Sequence, residues 1–310
     1  VVLLVNGMPL VIVEAKTPTR DCVSWADGAL QINDYEVDIP ELFVPNVLSV
    51  ATEGKEFRYG SVRMPVGLWG PWRVDGDEQL SPLERVGSAA RSMLSPANVL
   101  DFLANFTTYA NDNKRRRIKI VARYQQFDGA NRIVERVLAG RSRRGLIWHF
   151  QGSGKSLLML FAARKLRLHP DMGNPTVMIV VDRIDLDTQI ASTFYDADAP
   201  NLVKAETRSD LESMIAQDMR KIIITTIFKF GEAEGVLNDR ENIILLVDEA
   251  HRTQGGVYAR NMRFKALPNA SYIGFTGTPI ISGEEEITKN IFGEYVSIYD
   301  FKSSIEDGAT

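Results

Sequence analysis

The stretch HFQGSGKS, residues 149–156, contains the residue types that bind a nucleoside triphosphate. It follows the phosphate-loop pattern G-x-x-x-x-G-K-[ST], except that His149 stands where the pattern has its first glycine. The two remaining glycines let the backbone turn its N–H groups inward, and Lys155 can reach the β- and γ-phosphates. A glycine-rich strand–helix turn with an exposed lysine is the alternative. The predicted nucleotide-binding residues are Gly152, Ser153, Gly154, Lys155 and Ser156, with Ser156 also a ligand of Mg²⁺.

Two acidic residues follow the apolar stretch Ile243–Val247. A buried strand of this kind places Asp248 and Glu249 at the carboxyl edge of a sheet, where α/β folds bind their ligands. Asp248 can hold Mg²⁺, and Glu249 can orient or deprotonate an attacking water molecule. An acidic helix start, stabilised by the helix dipole, is the alternative.

A third polar turn follows the apolar stretch 271–275. Its small residues Thr276, Gly277 and Thr278 can sense a γ-phosphate if they lie beside the acids, whereas an ordinary turn is the alternative. His251 is a candidate link between this turn and the acids. The order of the three motifs, each at a strand end, favours the nucleotide site.

Near the amino terminus, the sequence Glu14-Ala-Lys16 ends an apolar stretch. Strand periodicity places both side chains on one face, where the carboxylate can bind Mg²⁺ and the lysine can stabilise charge on a phosphate. Gln31 and Tyr35 form an i, i+4 pair on a predicted helix nearby. A surface ion pair is the alternative for Glu14 and Lys16.

The elements that must position these residues fall into two patterns. Residues 1–5 and 10–13 predict a hairpin, followed by a helix over 27–35, a strand over 44–52 and an irregular connector over 60–85. From about residue 118, helices alternate with near-continuous apolar strands, which is typical of a parallel sheet covered on both faces. The strands of this second part are predicted at 145–149, 176–181, 221–225, 243–247 and 271–275, with helices over 123–138 and 155–168.

Composition restricts the class of protein. The chain has 310 residues, a formal net charge of −4 and one cysteine, Cys22. These values predict about two domains, no internal disulfide framework and a reducing compartment. No apolar stretch is long enough to span a bilayer, so no membrane association is expected. The basic run Lys114–Arg117 is interpreted as a solvated loop rather than a contact to DNA phosphates, because short basic runs are common.

The three motifs together resemble superfamily 2 helicases and translocases. GSGKS, DEAH and TGTP match motifs I, II and III of that family, and the stretch 180–189 is similar to motif Ia. The resemblance implies a RecA-like domain that uses ATP and Mg²⁺, with Gln126 pairing with adenine. It also implies contacts to a nucleic-acid backbone from Arg183, Gln189, Thr225 and Thr226.

The whole chain resembles the R subunits of type I restriction-modification enzymes. The matching stretches are VNGMPLVIVEAK, QINDY, SVATEGKEFRYGS, RYQQF, IWHFQGSGKS, VDEAHR and GFTGTP, in that order. Members of this family have a histidine in place of the first glycine of the phosphate loop, as this chain has at His149. The fold class expected is α/β, a RecA-like parallel-sheet domain preceded by part of a PD-(D/E)xK nuclease domain.

The resemblance implies an ATP-dependent type I site-specific deoxyribonuclease that translocates double-stranded DNA and cleaves it with Mg²⁺. Glu14, Lys16, Gln31 and Tyr35 would belong to the nuclease. The other metal-binding acid is expected before Val1, and a second RecA-like domain after Thr310. The implied partners are methyltransferase and specificity subunits, in a bacterial or archaeal cytoplasm.

The predicted domains are the endonuclease over 1–60, a connector over 61–110 and the first RecA-like domain over 111–310. Two alternatives stay open. The chain could be another superfamily 2 helicase or translocase with an unrelated amino-terminal domain, or a non-catalytic nucleotide-binding protein.

Overall fold

The computed structural model describes residues 1–111, 114–182, 201–231, 235–250, 261–277 and 291–308. The chain divides into two compact units, Val1–Tyr124 and Gln125–Thr310. The domain boundaries predicted at 60/61 and 110/111 stay predictions.

The first unit contains a five-stranded sheet in the order β1-β2-β3-β4-β5. Strands β1 and β2 form the predicted antiparallel hairpin around a turn at Asn6 and Gly7, both of which have positive φ. Strand β3 begins at Leu48 rather than at residue 44, because the N–H of Asn46 is bonded to the carbonyl of Phe43 in the preceding turn. The strands are β1 Val2–Val5, β2 Met8–Ala15, β3 Leu48–Thr52, β4 Phe57–Gly60 and β5 Gly70–Pro71.

Helix α1, Trp25–Asp38, connects the parallel strands β2 and β3 and packs on the sheet. Its buried residues Ala29 and Ile32 join a core that includes Trp69. Gly60 is required opposite this tryptophan, since a Cβ there would lie 2.7 Å from the indole ring. The segment predicted as a connector therefore contributes a large side chain to the core of the sheet.

Helices α2, Pro82–Met93, and α3, Pro96–Asn105, precede a two-stranded antiparallel ribbon. Its strands are β6, Thr107–Asn111, and β7, Arg117–Val121. Each helix begins with a serine N-cap followed by proline, an arrangement that satisfies the first free N–H groups. The sequence analysis did not predict this ribbon.

The second unit contains a seven-stranded sheet in the order β10-β11-β9-β12-β13-β8-β14, and every pairing in it is parallel. This confirms the predicted parallel-sheet fold. The strands are β8 Arg144–His149, β9 Thr176–Val181, β10 Leu202–Lys204, β11 Ile222–Thr226, β12 Ile243–Val247, β13 Ser271–Thr276 and β14 Tyr295–Tyr299. The helices described are α4 Tyr124–Leu138, α5 Lys155–Leu168, α6 Arg208–Ala216 and α7 Phe301–Glu306.

Strands β9, β11, β12 and β13 are buried at every position. Burial on both faces explains why their sequences are continuous apolar runs without polar alternation. Over the part of the chain that is described, no helix combines the length and the apolar character needed to cross a bilayer.

Candidate nucleotide-binding site and amino-terminal polar cluster

The three motifs of the second unit meet at one edge of its sheet. Strands β12, β13 and β8 are consecutive neighbours and run parallel, so their carboxyl ends lie side by side. The phosphate loop follows β8, Asp248 follows β12, and Thr276 ends β13. Strand order therefore brings together residues more than 90 positions apart in the sequence, as the arrangement of α/β ligand sites requires.

The phosphate loop turns through two left-handed glycines. Gly152 has a φ of +89° and Gly154 a φ of +83°, conformations that L-residues with side chains rarely adopt. Helix α5 begins directly afterwards at Lys155, so its free N–H groups and dipole face the loop. The ammonium of Lys155 donates to the carbonyl of His149 at 3.3 Å, which directs this side chain back across the loop.

Lys155 lies against the other two motifs. A Cβ built on Gly277 would come within 2.7 Å of the Lys155 Nζ atom, so Gly277, directly after β13, lies against the lysine. Burial lowers the pKa of Lys155, while the charges of Asp248 and Glu249 act in the opposite direction. Lys155 thus interacts electrostatically with Asp248 and Glu249, and Gly277 lies beside it.

Asp248 lies in a buried environment. Its side chain is buried, and burial followed by the charge of Glu249 raises its pKa to about 6. Among the described residues, its Oδ1 atom has no hydrogen-bond partner. The charge of Asp182, at the end of the neighbouring strand β9, raises the pKa of Asp248 further.

The backbone that carries the acids is fixed between two strands. The N–H of Asp248 donates to Val180 and that of Ala250 donates to Phe275, both at 2.8 Å. Glu249, between them, has a φ of +46°, in the left-handed region. A non-glycine residue in this region stores strain of the kind that concentrates at functional sites. The predicted coupling residues His251 and Thr278 lie outside the described residues, whereas Thr276 is fully buried.

The donor set fits Mg²⁺ in chemical terms. The hydroxyl of Ser156 and the carboxylate of Asp248 are hard oxygen ligands, which this cation prefers. Two buried oxygens at this edge, Ser153 Oγ and Asp248 Oδ1, have no partner within the part of the chain that is described. Buried polar atoms of this kind are uncommon unless a ligand, ion or water satisfies them.

Gln126 lies directly on the phosphate loop. Its Nε2 atom donates to the carbonyl of Gly154 at 3.2 Å, and the residue is buried. A Cβ on Gly154 would approach Nε2 to 2.3 Å, which gives that glycine a second reason beyond its φ. The pairing of Gln126 with adenine stays a prediction.

His149, which replaces the first glycine of the phosphate-loop pattern, is completely enclosed. Its Nε2 atom shares a hydrogen bond of 2.9 Å with the Oγ of Ser297 on β14, and its ring lies 5.7 Å from that of Tyr299. Burial, followed by the charge of Lys155, lowers the pKa of His149 to about 3. The imidazole is therefore neutral at physiological pH and ties the strand before the loop to the edge strand β14.

The predicted nucleic-acid contacts are only partly within the described residues. Thr225 and Thr226 end β11 and are both buried, and Thr225 Oγ1 has no partner among the described residues. Arg183 and Gln189 lie outside them. All four contacts stay predictions.

In the first unit, the structure brings the amino-terminal candidates together. Lys16 donates to Glu14 Oε1 at 3.0 Å and also to Gln31 Oε1, and Gln31 in turn donates to the hydroxyl of Tyr35. Gly28 of α1 lies against β2 and β3, since a Cβ there would be 3.3 Å from Ala51 Cβ and 3.5 Å from Glu14 Cγ. Within the described ranges, no group of three or more His, Cys, Asp or Glu residues is arranged to hold a metal. Metal binding by Glu14 stays a prediction.

Two family models match the chain. The model of the SWI2/SNF2 ATPase matches residues 125–310, and the model of the type I restriction enzyme R protein N terminus matches residues 1–65. The chain belongs to the type I restriction enzyme R proteins. Its second unit is the SWI2/SNF2 ATPase domain, in which the phosphate loop and Asp248 lie, and its first unit carries the amino-terminal match with Glu14 and Lys16.

Individual relatives agree with this family. The HindI endonuclease subunit of a type I restriction enzyme from Haemophilus influenzae is 39% identical over 99% of this chain and 32% of its own length. A type I restriction enzyme endonuclease subunit of Staphylococcus aureus, SauMSSORF170P, is 28% identical over 99% of the chain and 33% of its own length. The chain thus spans about a third of these relatives.

Among solved structures, the DNA-bound, ATP-dependent type ISP restriction-modification enzyme LlaBIII is similar to 63% of this chain and 16% of that chain. The TM-score is 0.46 and the sequence identity 15%.

Two residues of the R-protein site were missed from the sequence. Asp182 directly follows β9, and its position at a strand end was the available signal. Ser297 lies 148 residues from His149, and no local pattern marks their contact.

Proposed function

We propose that this R protein hydrolyses ATP to translocate double-stranded DNA and couples that movement to Mg²⁺-dependent DNA cleavage. The observation that carries the motor proposal is the meeting of Lys155, Asp248 and Gly277 at one sheet edge. An SWI2/SNF2 ATPase domain over residues 125–310 supports the use of ATP.

In this proposal the phosphate loop binds the triphosphate through its backbone N–H groups and the start of α5. Lys155 neutralises charge on the β- and γ-phosphates, and Glu249 orients the attacking water. Gly277 lies against Lys155, so loss of the γ-phosphate would change the surroundings of this glycine.

Ser156 and Asp248 would hold Mg²⁺, which supplies charge stabilisation at the phosphates when bound. The raised pKa of Asp248 fits this role, because a buried carboxylate with an unsatisfied oxygen gains most from a cationic ligand.

Glu14, Lys16, Gln31 and Tyr35 are the proposed nuclease residues. Lys16 would stabilise charge at the scissile phosphate, with Gln31 holding its ammonium and Tyr35 holding Gln31. Methyltransferase and specificity subunits as partners, and a bacterial or archaeal cytoplasm as location, complete the proposal.

The test of the motor is the ATPase rate of the R protein with and without duplex DNA. Lys155→Ala is expected to lower the DNA-stimulated rate by roughly 10²–10³-fold, the range for loss of a preorganised charge-stabilising group. Lys165→Ala is the matched control, since this lysine lies on the same helix and contacts Asn131 instead. A rate for Lys155→Ala equal to that of the control would refute the motor.

The nuclease is tested separately by DNA cleavage in the assembled complex. Lys16→Ala is expected to abolish cleavage while the ATPase rate stays at the wild-type level. Lys55→Ala, an exposed lysine of the same unit paired with Asp21, is the control. Intact cleavage by Lys16→Ala would instead favour a helicase or translocase with an unrelated amino-terminal domain.

A further inference from the structure

The β6–β7 ribbon of the first unit is firmly anchored at its base. The hydroxyl of Tyr59 donates to the carbonyl of Ala122, and that of Ser61 donates to the carbonyl of Lys119, both at 2.8 Å. The Lys119 ammonium donates to the carbonyl of Asn46. These bonds join β7 to the five-stranded sheet, whereas Lys114–Arg116 lie in the exposed loop that precedes β7.

Lys119 is part of that anchor. Burial lowers the pKa of its ammonium to about 8, and the hydrogen bond to Asn46 directs it inward. The basic residues of the ribbon therefore have two different roles. Lys119, in the middle of β7, anchors the ribbon, and the four consecutive cations Lys114–Arg117 are all exposed.

An exposed aromatic ring lies opposite Lys119 in the ribbon. Tyr109 is 43% exposed, and the guanidinium of Arg117 lies over it at 5.1 Å from the ring centroid. Tyr109 and Asn111 are two positions apart on β6, and Asn111 pairs with Arg117. Tyr109 and Arg117 therefore lie on the same face of the ribbon. This contact fixes one cation of the run at the ribbon surface.

The charge of this end contrasts with that of the chain. Residues 107–121 contain five lysines and arginines and one acid, Asp112, whereas the whole chain has a formal net charge of −4. Closely spaced, exposed cations attract an extended polyanion. A regularly charged, extended anion fits this arrangement better than a single carboxylate.

We propose that the basic end of the β6–β7 ribbon binds the phosphodiester backbone of duplex DNA. Lys114 and Arg115–Arg117 are the contacts, and Tyr109 holds Arg117 in position. The inference rests on the proposed function for its choice of DNA, and it adds a contact in the first unit to those predicted for the loops of the second. Contacts of this type position a protein on DNA without selecting a base sequence.

The test is binding of a fluorescent 30-base-pair duplex to the R protein at several salt concentrations. Arg115→Gln/Arg116→Gln removes two exposed charges but leaves the stacked Arg117 and the anchor Lys119 in place. The matched control, Arg85→Gln/Arg91→Gln, removes two exposed arginines from α2 in the same unit. Both double variants change the net charge equally.

The ribbon variant is expected to bind roughly ten- to thirtyfold more weakly at 0.15 M salt and to lower the salt slope by about 2, one for each lost phosphate contact. The control is expected to stay within about twofold of wild type. Tyr109→Leu is expected to weaken binding by a smaller factor at an unchanged melting temperature. Equal effects of the two double variants, or no duplex binding by wild type, would overturn the proposal.

A single-stranded DNA arm separates duplex binding from general polyanion binding, because a duplex-backbone contact predicts a larger ribbon effect on the duplex. The ATPase assay separates this inference from the motor. A normal DNA-stimulated ATPase rate, together with duplex binding that the ribbon variant does not weaken, refutes only the proposed ribbon contact. Duplex binding that the ribbon variant weakens, without DNA-stimulated ATPase activity, refutes only the proposed motor.

Discussion

The two polar clusters of this R protein differ in how their side chains are satisfied. In the first unit, Lys16 bonds to Glu14 and Gln31, and the side chains of the ion pair are 23% and 19% exposed. In the second unit, Asp248 is buried, its pKa is raised to about 6, and its Oδ1 has no partner among the described residues.

This difference indicates what each cluster requires from a ligand. A partly solvated ion pair costs little and gains little, so the amino-terminal cluster is stable by itself. A buried carboxylate without a full set of partners costs free energy that only a cation or donor can return. The candidate nucleotide site around Asp248 is therefore less stable without its ligand, whereas the amino-terminal cluster does not need one.

The largest effect on stability is expected from Asp248→Asn. A rise in pKa from 3.8 to about 6 corresponds to a cost of about 3 kcal/mol, which is present above pH 6 and relieved as pH falls towards 3.8. The variant should therefore be more stable than wild type by up to about 3 kcal/mol at pH 7.5, measured by urea unfolding. Unchanged or lower stability would show that Asp248 is not strained by burial.

An effect of opposite pH dependence is expected at His149. Its folded pKa of about 3 lies below the ordinary 6.5, so the unfolded chain takes up a proton first and wild type loses stability as pH falls below 6.5. His149→Gln should remove about 2 kcal/mol of the loss between pH 7.5 and pH 5. The contribution of Asp248 is present in both proteins and cancels.

Ser297→Ala is the control for that measurement, because it removes the hydrogen bond to His149 but leaves the imidazole buried. It should keep the wild-type dependence on pH. If His149→Gln and wild type lose stability in parallel, the imidazole is not held neutral by burial.

The smallest effect is expected in the amino-terminal cluster. Glu14→Gln leaves Lys16 its bond to Gln31, so the free energy of unfolding should change by less than about 1 kcal/mol. Urea unfolding beside the Asp248→Asn protein gives the comparison directly. A loss above about 3 kcal/mol would place Glu14 among the structurally essential residues instead.

Much of the second unit could be predicted because parallel strands buried on both faces are continuous apolar runs. Strands β9 and β12 and helix α5 have the predicted bounds, and the motifs at their ends gave the site. The bond from His149 to Ser297 has no local signal, and the strand-end position of Asp182 gains meaning only from the pairing of β9 with β12.

The ribbon shows the opposite case. Its strands TTYAN and RIKIV have only five residues each and contain polar and charged side chains, so they lack the apolar pattern that predicts a strand. Trp69 was assigned to the connector, although its ring fills the space that Gly60 leaves in the sheet core.

The most direct test of the account is a double-mutant cycle on nucleotide affinity, with Lys155→Ala, Asp248→Asn and the combined variant titrated with a fluorescent ATP analogue and Mg²⁺. If both side chains act on one triphosphate, their effects should be non-additive, with a coupling free energy on the order of 1–2 kcal/mol. Additive effects within about 0.3 kcal/mol would mean that the two residues serve separate sites, and the proposed ATPase motor would be wrong.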